Sequence, residues 1–267
     1  MNRALFGRTV AANRVRMLMC AIGLIAWGAI LPVMYASFGK DIGALVGSNP
    51  LFKQFSQFGG GDLFSLTGAM ALGFIHPFTL LLMGIMAIGY PAIAIAGERQ
   101  RGTLEVILAR PISRRAMYTT VLVAGLVFLG ILLALELGAQ VISAEATGVA
   151  GDLSLTNVAL LWLNGWLLFV AFLAIAFAAS VSFDRLPPAL GVPLVFLLLN
   201  YLADVIGSLW PDAAWLRSWS MFHLVDAKSV LNGQLDPANL VVLAAIAIVA
   251  VAYALVAFPR RDLAAPS

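Results

Sequence analysis

The chain has 267 residues, of which 62% are hydrophobic and 11% charged, with a formal net charge of +3 and a mean hydropathy of +0.98. Sixteen bases, thirteen acids and two histidines are too few to coat a water-facing globule of this length, so a soluble domain is excluded and a bilayer is the expected solvent. One cysteine, Cys20, excludes an internal disulfide and any cysteine-based metal centre, and the basic excess reads as membrane topology rather than nucleic-acid binding.

Lipid offers a backbone no hydrogen-bond partners, so a ~30 Å hydrocarbon core is crossed by helices of ~20 mostly apolar residues. Six stretches qualify: 17–35, 69–96, 118–143, 158–181, 189–206 and 240–258. The expected fold is an all-α integral membrane protein with six transmembrane helices, one domain over 1–267. An even number of spans puts both termini on one side. Placing them in the cytoplasm gathers twelve of the sixteen bases there, at Arg3, Arg8, Arg14, Arg16, Arg99, Arg101, Arg110, Arg114, Arg115, Arg185, Arg260 and Arg261. Only Lys40, Lys53, Arg217 and Lys228 stay outside, which is the positive-inside pattern. Tryptophan favours the headgroup boundary, and Trp162, Trp166, Trp210, Trp215 and Trp219 all fall at expected outer ends. Trp27 lies within the first span, where a packing role is expected.

The first connecting piece, 1–16, reads either as an interfacial helix with Leu5, Phe6, Val10 and Met17 on an apolar arc, or as a plain positive signal leading into the first span. The external loop 36–68 contains Gly59-Gly60-Gly61, a flexible turn. Between spans five and six, residues 207–239 carry aromatic anchors, Pro211, Pro237 and apolar patches too short to span. Short helices or a re-entrant hairpin at the outer face would satisfy that pattern.

The cytoplasmic connection 97–117 is the densest charge cluster in the chain. Leu104, Ile107 and Leu108 share one helical face, and Arg101 and Glu105 form an opposite-charge i, i+4 pair. Pro111 stops that helix and Ser113 caps the next. An apolar face on a cytoplasmic loop must be buried in headgroups or in a partner protein.

No GxxxxGK[ST], HExxH or GxSxG motif occurs, so no ATPase, metal site or catalytic residue is expected in this chain. Ionisable groups at membrane depth are costly and earn a functional hypothesis. His76, Glu136 and Asp204 fall within spans toward the outer ends, with Asn164, Asn200 and Gln140 nearby. They are candidates for a polar outer vestibule on a substrate pathway; the alternative is interhelical packing, with His76 at a kink before Pro77. The inner halves of the spans hold no such groups, which counts against an ion-coupled transporter.

The run Gly97-Glu98-Arg99, Gly102-Thr103-Leu104-Glu105, Ala109-Arg110-Pro111-Ile112-Ser113-Arg114 resembles the permease subunits of type-2 ABC exporters. That family shows an acidic residue, then Gly-Thr-Leu-Glu, then a Pro-x-Ser-Arg turn. Ser220-Met221-Phe222-His223 through Asn232-Gly233 looks like its external segment, with Met221 where a proline is usual, and Arg260-Arg261-Asp262-Leu263 looks like its cytoplasmic finish. The resemblance implies a short cytoplasmic coupling helix, with Glu98, Arg99, Arg101, Gly102, Thr103, Leu104, Glu105, Ile107, Leu108 and Arg110 seated against a separate ABC ATPase subunit. That subunit would hold the ATP and Mg, this chain binding no cofactor. It also implies a second permease chain, identical or homologous, and a prokaryotic cell membrane. The rival reading is a membrane anchor or assembly factor that docks a cytoplasmic partner without transport. A secondary transporter would want inverted repeats, which are not visible.

Overall fold

A computed structural model describes residues 3–46, 65–104, 113–151 and 153–260. Six of its helices are long and apolar enough to cross a bilayer. They are α1 (Arg3–Val46), α3 (Pro77–Gln100), α4 (Arg114–Ala146), α5 (Leu155–Ser182), α6 (Leu186–Leu209) and α8 (Pro237–Arg260). Two shorter helices, α2 (Leu66–Ile75) and α7 (Ala227–Leu231), and two 3-10 segments, Pro211–Trp219 and Met221–Leu224, complete the described residues. The loop turn at Gly59-Gly60-Gly61 lies outside them.

Each span runs a few residues past its apolar window because polar residues close its ends. The Ser113 hydroxyl accepts from Ala116 N–H at 3.1 Å and starts α4; Ser154 does the same for α5 from Asn157 N–H. Helix α1 is one run of 44 residues, about 66 Å at 1.5 Å per residue. Residues 3–16 are therefore its opening turns, not a separate interfacial helix.

The expected second span, 69–96, is two helices. His76 between them is extended, at φ −64° and ψ 144°. Proline 77 causes this twice over: its ring pushes the preceding residue out of the α region, and it has no N–H for the carbonyl four residues back. That carbonyl, on Gly73, is taken up instead by Trp27 Nε1–H at 3.0 Å and by the Thr79 hydroxyl at 2.8 Å. His76 Nδ1 caps the new helix, accepting from Phe78 N–H at 3.2 Å.

Helix α3 is irregular. Ile85–Gly89 and Ile93–Gly97 are π turns on either side of the short α stretch Tyr90–Ala92. Tyr90 N–H donates to Ile85 O, five residues back. Pro91 lies between the two turns with no N–H to give, and the widened turns re-pair the backbone around it.

Helix α5 is the most enclosed span and α8 the least. Phe169, Phe172 and Phe177 of α5 are fully buried, with Phe74 and Tyr118 meeting Phe169 and Phe177 edge-on. Helix α1 lies along α4 at very close range: a Cβ on Gly28 would sit 2.6 Å from the Glu136 carbonyl oxygen. Small residues let backbones approach this way where lipid supplies no hydrophobic drive between helices. The outward faces of α6 and α8 are apolar and exposed, including Val195, Leu199, Ile248 and Val249.

The tryptophans divide. Trp210, Trp215 and Trp219 are exposed at the end of α6 and beyond it. Trp162 and Trp166 instead stack on each other, at a centroid separation of 5.9 Å, and donate to Gly130 O and Leu126 O inside α4. A buried indole N–H needs a partner; here two span carbonyls supply it.

Candidate functional site

One end of the bundle is rich in arginine, and there the charged stretch after α3 is bound back to the rest of the chain. Arg99 is 1% exposed, and its Nη1 donates to Asp184 Oδ1 at 3.0 Å. Asp184 lies between α5 and α6 and is about half exposed. Next to it, Gln100 Oε1 accepts from Leu186 N–H at 2.8 Å, filling one of the unpaired donors in the first turn of α6. Two consecutive residues of α3 thus hold the start of α6.

Glu98 faces the other way. Its Oε1 accepts from Arg101 at 2.7 Å and its Oε2 from the Thr103 hydroxyl. Gly102 closes the helix at φ +68°, a left-handed conformation that glycine adopts without strain. Arg101 and Thr103 are left exposed. Leu104 is not: it is 1% exposed and belongs to the chain's own core. It is therefore covered from within rather than standing on a bare ridge. Glu105, Ile107, Leu108 and Arg110 lie outside the described residues.

The membrane-depth polar groups form two clusters. In the first, Glu136 is fully buried, with Oε1 2.9 Å from the Thr79 hydroxyl. Gln140, one turn on, is also fully buried, and a Cβ on Gly73 would meet its amide at 3.1 Å. His76 lies against Trp27, with ring centroids 4.3 Å apart and planes tilted by 35°. Glu136 sits between α3 and α4. Glu136→Gln, which keeps an oxygen for Thr79, is expected to leave the unfolding midpoint in detergent nearly unchanged. Glu136→Leu removes one of the two oxygens within reach of the Thr79 hydroxyl, the other being Gly73 O, and should cost about 0.5–1.5 kcal/mol; equal midpoints for the two variants would contradict this packing role.

In the second cluster the polar side chains hold the segment after α6. Asp204 Oδ1 accepts from Arg217 Nε at 3.3 Å. Asn200 Oδ1 accepts from Met221 N–H at 2.9 Å, and the Ser220 hydroxyl donates to Asn200 O. Asn164 Nδ2 donates to Leu224 O at 3.3 Å. The segment contains short helices, and three polar residues of α5 and α6 fasten it. Arg217, Ser220 and the backbone of Met221 and Leu224 are the partners that the sequence did not disclose.

Two cavities adjoin α3. A groove of about 530 Å³ runs along it from Pro77 to Ile93, with Leu194, Leu197 and Leu198 of α6 as its other wall. A smaller, more polar one of about 190 Å³ lies at the Arg-rich end, among Arg8, Asn13, Arg16, Tyr90, Glu98 and Met117. Arg16 and Ile93 border both. The walls of the groove are thus the same two helices that Arg99, Gln100, Asp184 and Leu186 tie together.

Residues 5–259 match the family described as multidrug efflux system permease Rv1217c, C-terminal domain. No curated protein matches the chain.

Proposed function

The chain belongs to the multidrug efflux system permease family, and from that membership we propose that it is the membrane-spanning subunit of a type-2 ABC exporter. The Arg-rich end faces the cytoplasm of a prokaryotic cell, with both termini there. A separate ABC ATPase grips the segment from Glu98 to Arg110 and carries the ATP, the Mg and all the hydrolytic chemistry. A second permease chain, the same or a homologue, completes the pathway, covering the exposed apolar face of α6.

The observation that carries this reading is the double tie from Arg99 to Asp184 and from Gln100 to Leu186 N–H. A displacement of the charged stretch reaches α6 through an ion pair and a backbone bond instead of being lost in a loose loop. Since α3 and α6 wall the groove, that displacement changes the shape of the space a hydrophobic solute would occupy. The polar rim for the ATPase is Glu98, Arg101 and Thr103; rim charges of this kind set orientation more than affinity. His76, Glu136, Asn164, Asn200 and Asp204 serve the outer end of the pathway, where Asn164, Asn200 and Asp204 fasten the segment after α6 and Asn164 also borders a cavity.

Co-reconstitution with a candidate ATPase subunit tests this. The parent chain should raise ATP turnover when a hydrophobic drug such as rhodamine 6G is added. Glu98→Ala, which releases both Arg101 and Thr103, should cut that stimulation roughly fivefold or more, the usual range of a coupling free energy. Stimulation undiminished in Glu98→Ala would refute the coupling assignment. A bound ATPase that no hydrophobic solute stimulates would favour a docking anchor instead.

A further inference from the structure

We propose that the groove along α3 and the polar cavity at its Arg-rich end form one binding site for a single-chain amphiphile with an anionic head, the head held by Arg16 and Arg8. This deepens the export reading by naming a substrate class.

The two spaces are continuous in lining. Arg16 and Ile93 border both, so a molecule following the groove toward the Arg-rich end arrives at Arg16. The groove spans Pro77 to Ile93 of α3, seventeen residues and about 24 Å of helix. Its volume of about 530 Å³ is within the ~300–1,000 Å³ of ordinary ligand sites. Leucine and isoleucine dominate its walls, at Leu80, Leu81, Ile85, Ile88, Leu194 and Leu198. Gly84 and Gly89 also border it and have open space where a Cβ would be. A long narrow apolar trough suits an alkyl chain better than a compact polycyclic drug.

Charge decides the head. The polar cavity is bordered by Arg8, Arg16 and Glu98. Glu98 is engaged by Arg101 and Thr103, so its charge is balanced locally and two guanidinium groups set the sign of the cavity. Asn13 Oδ1 takes one N–H of Arg16 at 2.8 Å, which fixes the side chain while a guanidinium has five donors to offer. Carboxylate and phosphate are the groups a guanidinium binds in two-point fashion. Thr9 and Asn13 add neutral polar groups to the same lining. An alkylammonium head would meet like charge, and a neutral head would forgo the ion pair.

The test needs neither ATPase nor nucleotide, so it is independent of transport. The full chain is placed in nanodiscs of phosphatidylcholine and exposed to a sixteen-carbon fatty acid bearing a mid-chain diazirine. The matched long-chain alcohol and the matched alkyl trimethylammonium are run in parallel, with labelled peptides mapped by mass spectrometry. The expected result is saturable labelling of peptides covering 77–93 and 190–201 by the acid, at about tenfold higher affinity than by the alcohol. Arg16→Gln should bring the acid down to the level of the alcohol, and Arg16→Lys should recover part of the difference. Leu198→Trp, on an exposed wall position, should abolish groove labelling by filling the trough.

Equal labelling by all three probes, or labelling indifferent to Arg16→Gln, would overturn the anionic assignment. Labels scattered over the outward faces of α6 and α8, or a groove filled by α6 of a second copy in cross-linked dimers, would overturn the site itself. If the acid binds as expected but leaves ATP turnover with the partner unchanged, the site stands and the export reading fails.

Discussion

Gly28→Val is expected to be the most damaging single substitution in the bundle. A Cβ at this position would lie 2.6 Å from the backbone oxygen of Glu136 and 3.4 Å from Cγ of Gln140. The first contact is with main chain, which no rotamer change relieves. Helices α1 and α4 must separate, and with them the Ser143 hydroxyl must leave the Ala29 carbonyl that it reaches at 2.6 Å. Overpacking of this kind costs about 1–3 kcal/mol, and the strained hydrogen bond adds about 1 kcal/mol. Unfolding by sodium dodecyl sulfate titration in mixed micelles measures it. Gly138→Ala is the control, since nothing lies within 4 Å of a Cβ there and a helix interior gains from alanine. A Gly28 variant as stable as the parent would mean that the two helices do not pack at this distance.

The Arg99–Asp184 pair should show a pronounced asymmetry. Arg99→Met leaves Asp184 half exposed, where water can solvate it. Asp184→Ala strips this carboxylate from a guanidinium that is 1% exposed, and taking a partner from a buried charge costs more than taking one from a half-solvated charge. Losing one partner of a fully buried pair costs about 3–5 kcal/mol; with Asp184 half in solvent, about half of that is expected. Asp184→Ala should therefore destabilise more than Arg99→Met, and the double variant should be better than Asp184→Ala alone. In the reconstituted complex either single variant should lower drug-stimulated ATP turnover while the ATPase still binds. Additive effects in the double variant would contradict a direct pair.

The six spans were legible because each is a long apolar run in a chain with few charges, and length and hydropathy suffice for that. Their ends were legible only to within a few residues. Arg114 and Arg115 belong to α4 although they fall outside any apolar window, because Ser113 fixes the start of that helix. Pro77 announced the break at His76, but Pro91 gave no sign of the two π turns beside it, since a proline in a span is compatible with several local repairs. The polar residues Glu136, Asn164, Asn200 and Asp204 were visible as anomalies. Their duties were not, because each depends on a partner that folding brings from elsewhere: Thr79 is 57 positions from Glu136 and Leu224 is 60 from Asn164. The same holds at the other end, where Arg99 was read as seated against an ATPase subunit and Asp184, 85 positions on, had no signature at all. The match over residues 5–259 bears on the kind of protein, and the tethers in the structure bear on how its parts act together.

The two π turns make α3 a counted helix. A π turn holds one residue more than an α turn, and a residue is worth about 100° of rotation. Deleting one residue from Ile85–Gly89 or Ile93–Gly97 would turn that π turn into an α turn and leave the residues beyond it facing nearly the same way, whereas deleting one from the regular stretch Pro77–Gly84 would swing everything beyond it about 100° around the axis. Arg99 and Gln100 would then point away from Asp184 and Leu186. The loss of a single residue from the regular stretch is thus predicted to be worse than most replacements, while the same loss within either π turn keeps the two tethers in line.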